Sequence, residues 1–508
     1  MNKNKQLVIN MSASFITYIV TFGISFFLSP YIVESVGADA YGFIGLANNF
    51  ISYATLISIA LNSMASRFIT IKIHQKDMEG ANRYFSSVFF ANGIITAVLL
   101  LVFSIMFIFL EKMINIPPTI FWDVKILFAL LFANCLITQM TSFLGVTTFA
   151  TNKLYLASIR SIESQGLRAA IILPLFLCCT PRISYLGIST IACSLYVIIF
   201  NIYYTRKLLP DLAIKRKYFD FKAVKELVTS GVWNLITRLG QILQDGLDLL
   251  ITNLLINPVA MGVLSISKTL PSIISGITGS MVGAFSPNFT QLYAEGKTDE
   301  LVAGVKQSIK IMGVIVNIPI IGLIICGDRF FALWQPTQDA RQLHVLSVLT
   351  CAGLIVVGGI NCIYNIFTVV NKIKINSLLV CLTGVISTII VFILLNTTDL
   401  GIYAVAGVST VVATIRNLVF TIPYGAYCLG QKWYTFYPAV FRSVAFVAVS
   451  VVVGYVIKPW ITLGGWLGFI ALVAVVLLIT LFIGAFIMLN KADRLYLIQK
   501  IKSRRRKV

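Results

Sequence analysis

Apolar stretches long enough to cross a lipid bilayer recur along this chain from its first twenty residues to its last forty, and they leave it few ways to fold. The stretches 15–32, 88–110, 124–144, 311–325 and 467–488 are the plainest. A hydrocarbon core of ~30 Å takes about 20 residues of helix to span. Backbone groups in lipid must be satisfied within the spanning element, which leaves helices or a closed barrel. Barrel strands would alternate over ~10 residues, and these stretches do not. With 58% hydrophobic residues, 12% charged and a mean hydropathy of +0.90, a water-facing globule is excluded. The expected fold class is an all-α membrane protein.

The opening MNKNKQLVIN places two lysines ahead of an apolar segment, as a signal peptide would. That segment runs past Ser29 without a small-residue cleavage pattern, so it reads as the first span. In all, about fourteen spans are expected, near 8–32, 42–66, 85–110, 122–147, 155–178, 183–205, 230–256, 261–287, 305–326, 343–369, 375–396, 401–425, 439–457 and 464–489. With the N-terminus inside, the cytoplasmic segments collect Lys72, Lys76 and Arg83, then Arg206, Lys207, Lys215, Arg216, Lys217, Lys222 and Lys225. Lys297, Lys306, Lys372, Lys374 and the basic tail follow. The opposite loops hold only Lys112, Arg182, Arg329, Arg341 and Lys458. This is the asymmetry of the positive-inside rule, and dropping one span destroys it. Both termini are therefore expected in the cytoplasm. The net charge of +21 mostly reflects this bias, and the partner it suits is an anionic lipid surface rather than nucleic acid.

A shift of about 220 residues brings the chain into register with itself, as in transporters built from repeats. Gly42 in GADAYGFIGLA corresponds to Gly262 in NPVAMGVLSIS, and Ser66, Thr70 and Gly93 correspond to Ser286, Thr290 and Gly313. NKLYLAS at 152–158 matches NKIKINS at 371–377, each at the turn between the fourth and fifth span of its half. Six spans per half gives both halves the same orientation. The expected organisation is an N-lobe at 1–210, a C-lobe at 211–430, and two further helices with the basic tail at 431–508.

Ionisable residues at mid-membrane are costly and normally face a bundle interior or a wet cavity. The seventh span is the richest case. At 100° per residue Asn234, Thr237, Arg238, Gln241, Gln244, Asp245, Asp248 and Thr252 fall on about a third of the circumference. Weaker stripes lie on the first span (Asn10, Ser14, Thr17, Thr21, Ser25), the second (Asn48, Ser52, Thr55, Asn62, Ser66) and the eighth (Ser265, Lys268, Ser272, Ser275). On the fifth, Arg160, Ser164 and Arg168 put two guanidiniums on one stripe roughly 12 Å apart, and guanidinium suits phosphate. Plainer readings compete: Arg160 pairing with Glu163, Arg238 with Asp245, and Ser or Thr stripes serving close helix packing. Arg416, Arg442 and Lys125 read as end-of-span residues that snorkel.

No enzyme is expected. The two histidines, His74 and His344, lie far apart, the nine cysteines form no CxxC pair, and no GxxxxGK[ST] loop exists for ATP. No cofactor and no metal site are expected.

Gly37, Tyr41 and Gly42 before the second span, the turns at Asn152-Lys153 and Asn371-Lys372, and the face at Trp233, Arg238, Gln241 and Asp245 resemble the polysaccharide-transport flippases. These share a superfamily with multidrug-and-toxin (MATE) extruders and lipid II flippases. The resemblance implies two six-helix lobes with the first, second, seventh and eighth spans lining a central cavity. It implies a cargo of undecaprenyl-diphosphate-linked oligosaccharide, an O-antigen, lipopolysaccharide or capsule unit, flipped to the periplasmic leaflet of a bacterial inner membrane by alternating access. On that reading Arg168, Arg238, Lys268, Gln241, Asn48 and Asn62 bind diphosphate and sugar, and Asp245 and Asp248 couple transport to H+ or Na+. Membrane lipids and other polysaccharide assembly proteins are the further partners. A lipid II flippase or a drug antiporter on the same fold is the alternative.

Overall fold

The computed structural model describes residues 3–488 apart from 284 and 462, so the basic tail lies outside the described residues. Among those residues every regular element is helical. Twelve helices are long and apolar enough to cross a membrane, and the pair Pro258–Ser267 and Thr269–Tyr293, bent by 41°, makes a thirteenth. The chain is a multi-pass membrane protein. That count is roughly the fourteen or so expected from the sequence; the passage 221–255, which carries the polar stripe, is not among the helices counted. Several helices outrun their expected spans; the ninth, drawn at 305–326, runs Thr298–Trp334.

The internal repeat is visible in the turns. Asn152 and Asn371 both have φ of 55°, a left-handed backbone that Asn tolerates better than most residues. At each, the helix ends in the same pair of bonds: Asn152 and Lys153 donate to the Phe149 and Thr148 carbonyls, and Asn371 and Lys372 to those of Thr368 and Phe367. This is the Schellman arrangement, which satisfies carbonyls that the helix end leaves open. A second pair was not read from the sequence. Lys76 (φ 59°) and Gly296 (φ 71°), 220 apart where the Asn pair is 219 apart, close the second and eighth spans with the same bonds.

Packing divides the chain into two compact units, residues 1–265 with 380–385, and 266–379 with 386–508. In the first, the seventh span joins the first six because glycine lets it approach. A Cβ on Gly231 would sit 1.9 Å from the Ala60 carbonyl oxygen of the second span. Small residues at such crossings are what membrane helices use to pack without a hydrophobic driving force. Gly42 and Gly262 are also in backbone contact, a Cβ on Gly42 falling 2.8 Å from the Gly262 Cα, and Gly45 meets Ser265 in the same way. Both pairs are 220 apart, so the second span and the start of the eighth cross at their own repeat equivalents. The link from the sixth to the seventh span is stitched to the third helix, Met78–Ile108. Asn82 bonds Asp211 and Ala213, and Ser87 accepts from Asp220 N–H at 2.9 Å.

The second unit is built on the ninth helix and on the tenth, Ala340–Val369. Ile309, Ile363, Phe367, Ile422 and Phe436 form one buried cluster. The two last helices, Tyr437–Ile457 and Gly465–Ile487, pack against the ninth through Ile325, Phe446, Leu472 and Val476.

Candidate functional site

The seventh span does not keep one helical phase. Phe221–Gln241 is regular, Ile242–Gly246 is a π turn, and a new helix begins at Asp248 and ends at Leu255. A π turn fits an extra residue into the turn and rotates everything beyond it. The stripe that 100° spacing draws through 234–252 therefore splits. Arg238, Gln241 and Asp245 are exposed. Gln244, Asp248 and Thr252 are buried, Asp248 at 4% exposure and Thr252 at none.

On the exposed part Arg238 Nη1 donates to Gln241 Oε1 at 3.2 Å, and Asn234 reaches Ser63 of the second span at 3.3 Å. The sequence offered Asp245 as a partner of Arg238; the structure shows Gln241 as one. On the buried part Asp248 heads its helix, where the backbone dipole favours a carboxylate. Two residues before it, the Gly246 carbonyl of the π turn accepts from the Tyr53 hydroxyl of the second span. Tyr53 was not singled out from the sequence; an aromatic hydroxyl on a Ser/Asn-rich span was the available signal. Farther along, Asn253 and Asn115 make a three-bond clasp: Asn115 N–H to Asn253 Oδ1 at 2.8 Å, and two side-chain amide to backbone bonds at 3.0 Å.

Lys268 sits in the bend of the eighth span rather than on a continuous helical face. Pro271 explains the bend: it has no N–H for the Ser267 carbonyl, and its ring opposes a straight helix there. That carbonyl instead accepts from the Ser347 hydroxyl at 2.6 Å.

Of the second-span candidates, Asn48 is exposed and donates to its own helix at the Ile44 carbonyl. Asn62 belongs to a buried amide network: Asn92 Nδ2 donates to Asn62 Oδ1 and Ser142 Oγ, both at 3.1 Å, and Gln139 Nε2 donates to Asn92 Oδ1 at 3.0 Å. Two members of the first-span stripe likewise serve packing. Asn10 caps the turn at Asn152 and accepts from Tyr155 N–H, and Thr17 reaches the Ser158 carbonyl.

The two fifth-span arginines have separate surroundings. Arg160 is held by Glu163 at 2.6 Å, by the Tyr196 hydroxyl at 3.3 Å and over the Phe200 ring at 4.3 Å, the i, i+3 pairing that competed with a phosphate grip. Arg168 lines a cavity of about 370 Å³ among the fourth (Pro118–Ala150), fifth (Leu154–Cys178) and sixth (Ser184–Leu208) spans. Arg238, Gln241, Asn48 and Asn62 are not among its walls. Arg416, read from the sequence as snorkelling, lies in the span Ile402–Cys428. It heads a π turn at 417–421 and donates to the Tyr364 hydroxyl at 3.2 Å.

The helical architecture is that of a known class. The structure of the lipid II flippase MurJ in an inward closed conformation matches 94% of this chain and 98% of its own, with a TM-score of 0.66 at 13% identity. An inward-facing multidrug resistance MATE transporter of the MOP superfamily matches 83% of this chain and 98% of its own, with a TM-score of 0.59 at 14% identity. The fold is thus MATE-like, that of membrane transporters. Residues 7–293 match the family described as polysaccharide biosynthesis protein, and the chain belongs to that family. It is 25% identical over 432 residues, 85% of each chain, to an uncharacterized membrane protein, EpsK, of Bacillus subtilis strain 168.

Proposed function

We propose that this chain is a flippase that carries undecaprenyl-diphosphate-linked oligosaccharide from the cytoplasmic to the outer leaflet of the bacterial cytoplasmic membrane, with both of its ends in the cytoplasm. The observation that carries the reading is the exposed Arg238, Gln241 and Asp245 edge of the seventh span in a chain of the polysaccharide biosynthesis family. The diphosphate is the part of such a lipid most costly to bring through hydrocarbon. Arg238 and Lys268 offset its charge, and Arg168 offers a third cationic contact to the cargo. Gln241, Asn48 and Asn234 exchange hydrogen bonds with sugar hydroxyls, while the lipid tail stays in the bilayer. Two six-helix lobes rocking by alternating access provide the movement, and Asp245 and Asp248 couple it to H+ or Na+.

The test is which undecaprenyl-linked intermediate builds up in the cytoplasmic leaflet when the gene is deleted. A lipid-linked repeat unit is the expected result. Arg238→Ala and Lys268→Ala each lower polymer export at equal protein level; export unchanged in both overturns the diphosphate assignment. Lipid II flipping is the second reading, favoured by the 94% of this chain that the lipid II flippase fold accounts for. Accumulation of lipid II would select it, and no accumulation would point to a drug antiporter.

A further inference from the structure

The Arg168 cavity has a chemistry of its own. Arg168 stands fourteen residues from Leu154 and ten from Cys178, roughly 21 and 15 Å by helix rise, so its guanidinium is deep in the span. Its Nε is buried with no hydrogen-bond partner, and no ion pair or hydrogen bond joins Arg168 to the described residues. The Glu163 carboxylate five residues earlier is occupied by Arg160 and the Tyr196 hydroxyl. A guanidinium at such depth needs a negative or strongly accepting group to offset the loss of water.

The walls add a second requirement. The hydroxyls of Thr138, Thr141, Ser142, Ser164 and Thr190 all line the cavity, and each donates its proton to a carbonyl of its own helix. A hydroxyl that back-bonds in this way turns only lone pairs outward. The Cys193 thiol, the one sulfur on the wall, also donates away, to the Ser164 carbonyl. Gln165 Oε1 is buried and has no donor. The Ser194 hydroxyl and the Asn201 and Gln165 amides, also on the wall, can donate as well as accept, so the cavity presents one cation among polar groups that are mostly acceptors. A halide satisfies the cation and leaves the acceptors bare; a neutral polyol does the reverse. About 370 Å³ equals roughly a dozen water volumes, ample for a small multi-oxygen ion and too large for a lone halide.

We propose that this cavity binds an oxyanion that also carries hydroxyl donors, its charge on Arg168 and its O–H groups on Gln165 and the back-bonded hydroxyls. Two sources share this chemistry: a free inorganic ion such as dihydrogen phosphate, or an acidic sugar of the cargo. Only the second rests on the flippase reading; the binding itself does not.

The experiment follows the thermal unfolding midpoint of the purified full chain in detergent at pH 6, at matched ionic strength, against sodium phosphate, glucuronate, chloride and methanesulfonate. Phosphate or glucuronate is expected to stabilise saturably, with a half-saturating concentration at least tenfold below those of chloride and methanesulfonate, which carry no hydroxyl. Arg168→Gln raises that concentration at least tenfold. Gln165→Met keeps the charge and loses an acceptor, so the preference over chloride shrinks, and this variant decides the matter if Arg168→Gln does not fold. A response to glucuronate alone identifies the cargo sugar, and to phosphate alone the free ion. Equal stabilisation by all four anions, none by any, or effects untouched by both substitutions overturns the proposal. A chain that binds as expected while its deletion accumulates no lipid-linked sugar would leave the site standing and remove the flippase.

Discussion

Replacing Gly231 by alanine tests whether the second and seventh spans are locked backbone to backbone. The added Cβ would meet the Ala60 carbonyl oxygen at 1.9 Å and its carbon at 2.7 Å. An ordinary carbon to oxygen contact is about 3.3 Å or more, so the helices must part by over about 1 Å locally. Neither atom belongs to a side chain that can swing aside. Alanine in place of glycine returns about 1 kcal/mol of helix propensity. Overpacking costs ~1–3 kcal/mol, and a backbone obstacle argues for the upper end. The net expectation is a loss of about 2 kcal/mol, near a thirtyfold change in the folded-to-unfolded ratio.

Thermal unfolding in detergent, read by tryptophan fluorescence, measures it. Gly279→Ala is the paired control, since its Cβ would have nothing within 4 Å and should be neutral or stabilising. The bond from Asn234 to Ser63, three residues on and already 3.3 Å, should be lost with the separation. If Gly231→Ala unfolds at the temperature of the parent or of Gly279→Ala, the two spans are not in contact as described.

Asp245→Asn is expected to slow flipping in reconstituted vesicles and flatten its dependence on an imposed ion gradient; unchanged gradient dependence would remove Asp245 from coupling. Asn92→Leu strands the buried Gln139 Nε2, at ~1–3 kcal/mol, and the half-buried Asn62 Oδ1 at less. The double variant with Gln139→Leu should lose less than the single, and an equal or greater loss would show that packing governs. Asp77, in the turn before the third span, accepts from the Gly80 N–H at 2.8 Å and pairs with Lys72 at 2.9 Å, and these hold its pKa below the ordinary 3.8. A carboxyl depressed on folding stabilises above its unfolded pKa and ceases to as pH falls through the folded one. Amide exchange at 72–80 should therefore quicken only below about pH 4, and Asp77→Asn should remove that dependence.

The spans were legible because hydropathy is a sum over twenty residues, and the repeat because Gly and Asn hold backbone positions that few residues tolerate. The stripe on the seventh span was legible only as far as Gln241. A π turn has no residue signature in this stretch, so the phase beyond it could not be followed, and Asp245 and Asp248 ended in different surroundings. Pro271 did announce the bend at Lys268, three residues before it, but a stripe counted at 100° runs through a proline without noticing it. Polar residues on the first and second spans were visible, whereas their partners were not. Asn10 reaches Asn152, 142 positions away, and nothing local distinguishes such a cap from a cavity-facing amide.

The repeat also separates what the architecture requires from what it does not. The turns at 76 and 296, and at 152 and 371, persist in both halves, so they belong to building a six-helix half. On the register of the matching Asn turns, 219 residues, Gln165 and Arg168 of the fifth span correspond to Gly384 and Ser387 of the eleventh. There the helix face is closed: a Cβ on Gly384 would fall 2.5 Å from the Gly240 carbonyl, and Ser387 is buried at 1% exposure. One copy of the helix presses its backbone on a neighbour, and the other holds an amide and a guanidinium beside a cavity. A helix half can be built without the cation, since one half is. The cost of keeping Arg168 at mid-span is then a cost that packing does not demand, which is the physical ground for seeking its ligand.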